Sequence, residues 1–288
     1  SDWLNPDRIV IGANSQSTMN VLEELFSVYV SVNKIYTNTR TAEMIKYASN
    51  SFFATLISFS NEIANICHAI GDIDPIEVMS GLHQDQRLNV TSNDSKIAAP
   101  LISYLHPGPG FGGSCFPKDV NAILSHSKRS GYEPKLLDAV MQVNKSQPYK
   151  IYDLVISNCS DIDQARIGIL GLSFKPNTDD TRESTFFYLC ELLSQHKCKI
   201  FGYDPLVKEL AYEIKNFNLM ANVSELIDHV DIIVLMTVDP YFSSVTECLT
   251  NCGGKKLLVD TRRLIDRKKY TNYCSIGIRN SEEVSVNA

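Results

Sequence analysis

The repeat of apolar residues changes character near residue 160, and that change limits the possible folds more than any other feature of the chain. Before it, long stretches carry the 3.6-residue repeat of helices. TAEMIKYASNSFFATLISFSNEIANICHAIG (41–71) has Thr41 to cap it, no internal proline and Gly71 to stop it. It predicts a helix of about 30 residues, far above the usual length, with apolar positions on more than one face. Further helices are expected over 75–83, with Pro75 at the start, over 117–128, and over 133–158, with Pro148 as a kink or break. After residue 160, short apolar runs (166–174, 199–204, 231–238, 256–262) alternate with helical stretches (184–196, 205–216, 223–229). Strands alternating with helices predict βαβ units and a parallel sheet. The expected class is therefore α/β: a mostly α-helical N-terminal domain with a long central helix (1–160), then a Rossmann-like open parallel-sheet domain (161–288).

Composition removes several function classes. A net charge of −6 and a single short basic cluster, Arg262 to Lys269, argue against a nucleic-acid partner; the cluster reads as solvated surface. No apolar run reaches the ~18 residues that span a membrane. No signal peptide is expected at SDWLNPDRIVIG, which reads as a turn and strand, as if cut from something longer. The eight cysteines form no disulfide framework, and Cys248 with Cys252 lacks the second pair that zinc requires, so no metal is expected. These features suggest a reducing, cytoplasmic setting.

The chemistry concentrates in GPGFGGSCFPKD (108–119). Gly108, Gly110 and Gly113 satisfy GxGxxG, but a proline-broken loop stands where a dinucleotide fingerprint needs a strand. The glycines instead suit close approach of backbone to a ligand. Cys115 stands two residues before Pro117, hence at a helix start, where the macrodipole and Lys118 both favour a thiolate. Asp119 falls in the first turn, as a dipole complement or as a carboxylate placed to act on water. Lys46 and Asn50, four apart on the long helix, share one face and together can stabilise an oxyanion, although an exposed lysine at that spacing more often has no such part.

GGSCFPKDV (112–120) resembles the active-site segment of the UDP-glucose 6-dehydrogenase family, NAD-dependent enzymes that oxidise nucleotide-sugars by four electrons. NPDRIVIG (5–12), AEMIKYASNSFFATLISFSNE (42–62), DQRL (85–88), LGLSFKPNTDDTRES (170–184) and VDTRRLID (259–266) resemble it too, in family order over nearly the whole chain. The resemblance implies Cys115 as nucleophile, Lys46 and Asn50 at the oxygen that becomes anionic, and Asp119 in the water step. It implies a nucleotide-sugar substrate, UDP-glucose or similar, held by Tyr104, Leu105, His106, Gly108, Gly110, Phe111 and Gly112, whose exposed N–H groups suit sugar and diphosphate. Phe174 and Lys175 would contact that substrate, Arg87 would reach the substrate of the neighbouring subunit of a homodimer, and Lys118 and Arg182 would touch NAD. Arg262 matches the arginine of the family's DxRN, while Arg263 replaces the asparagine, so either could reach the substrate.

The family's N-terminal NAD fingerprint and upstream glutamate have no counterpart in these 288 residues. If this were the whole molecule, it would be expected to be inactive and to bind NAD poorly. GILGLSF, with only two glycines, suits a nucleotide more than NAD, and Tyr203-Asp204-Pro205 reads as a turn and helix cap. Thr185 replaces a common proline. A sibling acting on UDP-N-acetylmannosamine, UDP-N-acetylglucosamine or GDP-mannose, and a non-catalytic nucleotide-sugar-binding or dimerisation module, are the competing expectations.

Overall fold

The computed structural model describes residues 4–92, 95–237, 247–249 and 256–279, without the side chains of 90–92 and 95–97; Cys252 and the end of the 231–238 run lie outside the described residues. Close packing divides the chain into two units, Ser1–Phe52 and Phe53–Ala288. In the first, β1 (Arg8–Gly12) and β2 (Asn33–Thr37) pair in parallel, connected through α1 (Gln16–Leu25). Ser15 starts α1 by accepting the Thr18 N–H at 3.2 Å. The sequence predicts β1 but neither α1 nor β2. No residue of α1 is buried, so no apolar stripe advertises it. The expected long helix is α2 (Thr39–Ile70), which runs on into the second unit.

In the second unit α3 (Pro75–His83) starts where the Asp74 carboxylate accepts the Ile76 N–H. A hairpin of β3 (Asn89–Ser92) and β4 (Ser95–Ala98) follows. Then come α4 (Phe116–Arg129) and α5 (Lys135–Ser157). Pro148 sits inside α5 without ending it, contrary to a break there. Ala54, Phe111, Val120, Leu124, Val140 and Met141 make one buried cluster that joins α2, α4, α5 and the glycine loop. Each large apolar side chain so buried contributes roughly 1.5–3 kcal/mol.

The remainder is one parallel six-stranded sheet in the order β10 (Tyr273–Cys274), β9 (Leu257–Asp260), β8 (Ile232–Leu235), β5 (Arg166–Leu170), β6 (Lys199–Tyr203), β7 (Phe217–Leu219). Counted from β5, this is the doubly wound order 3-2-1-4-5-6, as the alternating pattern predicts, with its reversal between β5 and β8. β8 and β9 are buried along their whole length, as strands covered on both faces must be. Side chains of α5 and α6 (Thr185–Leu193) pack on one face and those of α7 (Val223–His229) on the other.

One expected helix is absent: 205–216 is a series of turns. Buried Asp204 takes the N–H groups of Leu206 and Val207 on one oxygen and those of Leu172 and Ser173 on the other. Thr181 Oγ1 accepts the Ala211 N–H at 2.9 Å. These long-range partners pin the segment onto the 172–181 loop and override its helical composition. Asp204 is thus a turn cap, as read, but not the start of a helix.

Candidate active site

The segment 104–115 is built by its neighbours. Tyr104 stacks on Phe53, centroids 4.5 Å apart. Leu105 is buried, with its N–H given to Ile102 and its carbonyl taken up by His83 Nε2 at 3.0 Å. His106 lies edge-on to His83, and burial, then the charges of His83 and Arg262, hold its pKa below the ordinary imidazole value. Gly108 N–H donates to Asn61 Oδ1 at 2.7 Å, and Phe111 N–H donates to Asn144 Oδ1 at 2.7 Å. Both amides are therefore engaged by protein, whereas the sequence had offered all the loop's N–H groups to the ligand. Gly112 and Gly113 fit a slot that excludes any side chain. A Cβ on Gly112 would collide with the Glu183 carbonyl oxygen, and one on Gly113 (φ +78) would stand 2.5 Å from the Phe174 ring.

Cys115 is exposed and occupies the N-cap of α4, with no side-chain hydrogen bond closing that cap. Ser114 Oγ is 3.9 Å from its sulfur. Cys67, Cys190, Cys198 and Cys274 are buried, and burial pushes the Cys190 thiol far up. Asp119 is buried in the first turn, paired with Lys118 Nζ at 3.2 Å. The lysine read as a cation beside the thiol thus also serves that carboxylate. Arg182 is exposed and held by Asp180 through a 2.8 Å ion pair, which raises the guanidinium's pKa; Cys115 lies close enough to add a small electrostatic contribution to it. Lys46 and Asn50 share a face of α2 in the first unit, Lys46 exposed and Asn50 buried. Arg87 projects into solvent, clamped in bidentate fashion by Asp85.

The sheet adds groups at the carboxyl ends of its strands, beside the reversal where such sheets take ligands. Phe174 and Lys175 follow β5, with Lys175 Nζ 5.5 Å above the Phe174 ring. Arg262 follows β9, donates from Nε to the Met236 carbonyl at 2.9 Å, and reaches Gly108: a Cβ there would stand 2.7 Å from its Nη1. Desolvation pushes its pKa down to about 10. Arg263 turns elsewhere, to Asp74 at 2.7 Å, in a left-handed backbone conformation (φ +55). Of the two adjacent arginines, Arg262 adjoins the glycine loop and Arg263 joins the turn after β9 to the start of α3. Sequence spacing could not separate them, because Asp74 is 189 residues away.

Asn61 and Asn144 escaped the sequence reading. The available signal was an asparagine within an apolar helical stretch, where a buried amide needs partners. Among the described residues no cluster of histidine, cysteine and acidic side chains could hold a metal ion, and no helix is long and apolar enough to cross a membrane. For a dinucleotide, the turn after β5 is a poor fit, since the Asp204 carboxylate already occupies the N–H groups of Leu172 and Ser173. Lys118 and Arg182, exposed cations near the thiol, fit the edge of an anionic cofactor.

A doubly wound parallel sheet, with a glycine loop that ends in an exposed helix-start thiol, defines an α/β protein of the nucleotide-type sheet class. The chain belongs to the UDP-glucose/GDP-mannose dehydrogenase family: residues 40–146 match the family's central domain and residues 168–267 its UDP binding domain. It is 33% identical over 287 residues to UDP-glucose 6-dehydrogenase AglM of Haloferax volcanii, covering 96% of this chain and 62% of that protein. It is 40% identical over 206 residues to UDP-glucose 6-dehydrogenase YwqF of Bacillus subtilis, covering 71% of this chain and 43% of that protein. Among solved structures it resembles a UDP-glucose dehydrogenase from Pyrobaculum islandicum (TM-score 0.82, 30% identity, 96% of this chain, 60% of that one). It also resembles a UDP-D-ManNAc dehydrogenase from Pyrococcus horikoshii (TM-score 0.73, 26% identity, 93% and 59%). The chain spans at most about three fifths of the length of these relatives.

Proposed function

We propose that the protein is an NAD-dependent nucleotide-sugar 6-dehydrogenase that converts UDP-glucose to UDP-glucuronate. The exposure of Cys115 at an uncapped helix start, while most other described cysteines are buried, carries this reading. NAD supplies the hydride acceptor for both oxidations. The Cys115 thiolate adds to the aldehyde carbon left by the first, giving a thiohemiacetal whose oxygen Lys46 and Asn50 hold. Loss of a second hydride leaves a thioester, and water, oriented by Asp119, attacks its carbonyl carbon and releases the acid and the thiol. The split into two easier steps is the advantage of a covalent route.

Tyr104, Leu105, His106, Gly108, Gly110, Phe111 and Gly112 shape the sugar and diphosphate site, with Leu105 acting through its buried anchoring. Phe174, Lys175 and Arg262 hold the nucleotide from the sheet; of the two adjacent arginines Arg262, which adjoins the glycine loop, is the one proposed to reach the substrate, while Arg263 is held by Asp74. Lys118 and Arg182 meet the cofactor's anionic groups. We further place the domain boundary near residue 160, and the protein in the cytoplasm as a homodimer formed on α2. Phe52, Phe59, Ile66 and Ile70, spaced seven, seven and four apart on that helix, are each about half or more exposed, which is the seam one helix offers another. Arg87, also exposed, would cross to the partner's substrate.

The test is NAD reduction by the full-length protein with UDP-glucose, UDP-N-acetylmannosamine, UDP-N-acetylglucosamine and GDP-mannose. UDP-glucose should give the highest kcat/KM. A preference for UDP-N-acetylmannosamine would favour the sibling reading to which the Pyrococcus neighbour points, and binding without any turnover would favour a non-catalytic module.

A further inference from the structure

The geometry points to Asn144 as a positioning residue for Cys115, with Asn61 as its counterpart at the other end of the same loop; this rests on the reading of Cys115 as nucleophile. Asn144, on α5, is only 8% exposed and makes two bonds to one residue: its Oδ1 accepts the Phe111 N–H at 2.7 Å and its Nδ2 donates to the Phe111 carbonyl at 2.9 Å. Asn61, on α2 and wholly buried, accepts the Gly108 N–H. Two helices thereby hold residues 108–111 by their main chain, independent of side-chain packing.

The clamp reaches Cys115 from both sides. The Phe111 ring lies edge-on to Phe116, the residue after Cys115, with centroids 6.0 Å apart. Gly113, two before it, donates its N–H to the Glu183 carbonyl at 3.3 Å. Beside the loop lies an open pocket of about 280 Å³, bordered by Phe111, Met141, Asn144, Pro148 and Glu183. On that side packing of Phe111 is incomplete, and the amide of Asn144 fixes its main chain there. Pro148 adds to this. It lacks the N–H that would bond the Asn144 carbonyl within the helix, and that carbonyl instead lies 3.4 Å from where a Cβ on Gly110 would stand.

An asparagine is required because both a donor and an acceptor are used. An ionised carboxylate can take the Phe111 N–H but repels its carbonyl, whereas a neutral carboxylic acid can serve both. N144D should therefore regain function as pH falls and the introduced, buried carboxyl takes up its proton. Two readouts are followed from pH 8 to pH 5.5, each as a ratio to the parent at the same pH. The first is the rate at which iodoacetamide alkylates Cys115, followed by peptide mass on this chain, which needs no cofactor. The second is kcat and KM of the full-length enzyme.

We expect N144A to change the alkylation rate at least threefold and lower kcat by about 10²-fold, the scale of an ångström of misplacement, with KM changed much less. N144D should match N144A at pH 8; by pH 5.5 its kcat should recover at least fivefold relative to the parent and its alkylation rate should return to within about 1.5-fold of the parent's. Should N144A fail to fold, the slope of N144D alone decides. Parallel pH profiles of N144D and parent in alkylation, or unchanged alkylation in N144A with only a lower Tm, overturn the proposal. An altered alkylation rate with no turnover by the parent enzyme on any nucleotide-sugar sustains the clamp and removes the dehydrogenase reading.

Discussion

Two glycine-bearing turns of the second unit close their backbone donors with opposite means. The turn after β5 gives the N–H groups of Leu172 and Ser173 to the carboxylate of Asp204. The loop before α4 gives those of Gly108 and Phe111 to the neutral amides of Asn61 and Asn144. A carboxylate fills the place of an anion and repels another; an amide satisfies the backbone without adding charge, so the positive end of α4 stays available to a thiolate or an oxyanion. The difference explains why the sheet's own phosphate-type turn is structural, and it supports the proposal that the chemistry belongs to the loop before α4. It also shows that glycine content alone does not identify an anion site; the partner of each N–H does.

The comparison breaks most severely at the thiol. C115S in the full-length protein should lower turnover on the order of 10³-fold or more while leaving substrate affinity within about threefold, as measured by NAD reduction and by calorimetric titration. Loss of affinity equal to the loss of rate would assign Cys115 to binding. Next, D204A strands buried donors on both sides of its turn and should cost about 2–4 kcal/mol in denaturant unfolding. If D204A instead leaves stability intact and tightens UDP binding, the turn after β5 is a ligand site held shut.

The adjacent arginines give a finer division. R262A should weaken UDP binding about tenfold or more, the worth of a charge-assisted contact, at little cost in Tm. R263N should behave the other way: affinity held, stability down by about 2 kcal/mol, since the lost pair with Asp74 outweighs the relief of placing asparagine at a left-handed φ. Burial pushes Asp74 up, yet the bonds from Ile76 and Arg263 bring its pKa below the usual carboxylate value. Its contribution is present above the ordinary carboxylate range and is lost as pH falls through the lowered value. The smallest effect concerns His106. Its pKa is depressed below 6.5, chiefly by burial, so the unfolded chain takes up the proton first as pH drops. Stability should decline below about pH 6.5, and H106N should flatten that part of the Tm profile.

Much of this was legible from residue order. The period change forecast the sheet and its doubly wound class, and Gly112-Gly113-Ser114-Cys115 with Pro117 located the thiol at a helix start. What escaped depends on distant partners. The 205–216 stretch has helical composition, but Asp204 and Thr181 bind its amides from elsewhere in the fold. α1 and β2 lack a buried stripe to betray them. Asn61 and Asn144 act across separations of 47 and 33 residues, and nothing in their local sequence states which backbone they hold.

The slot at Gly112 has a consequence for how such chains can vary. Because any side chain there would strike a backbone oxygen of Glu183, neither strip of chain can be redesigned, grafted or inherited alone. A chimera that imports residues 106–119 without 173–184 should present a misfitted seam even when every imported residue is sound, so the two strips form one unit of exchange.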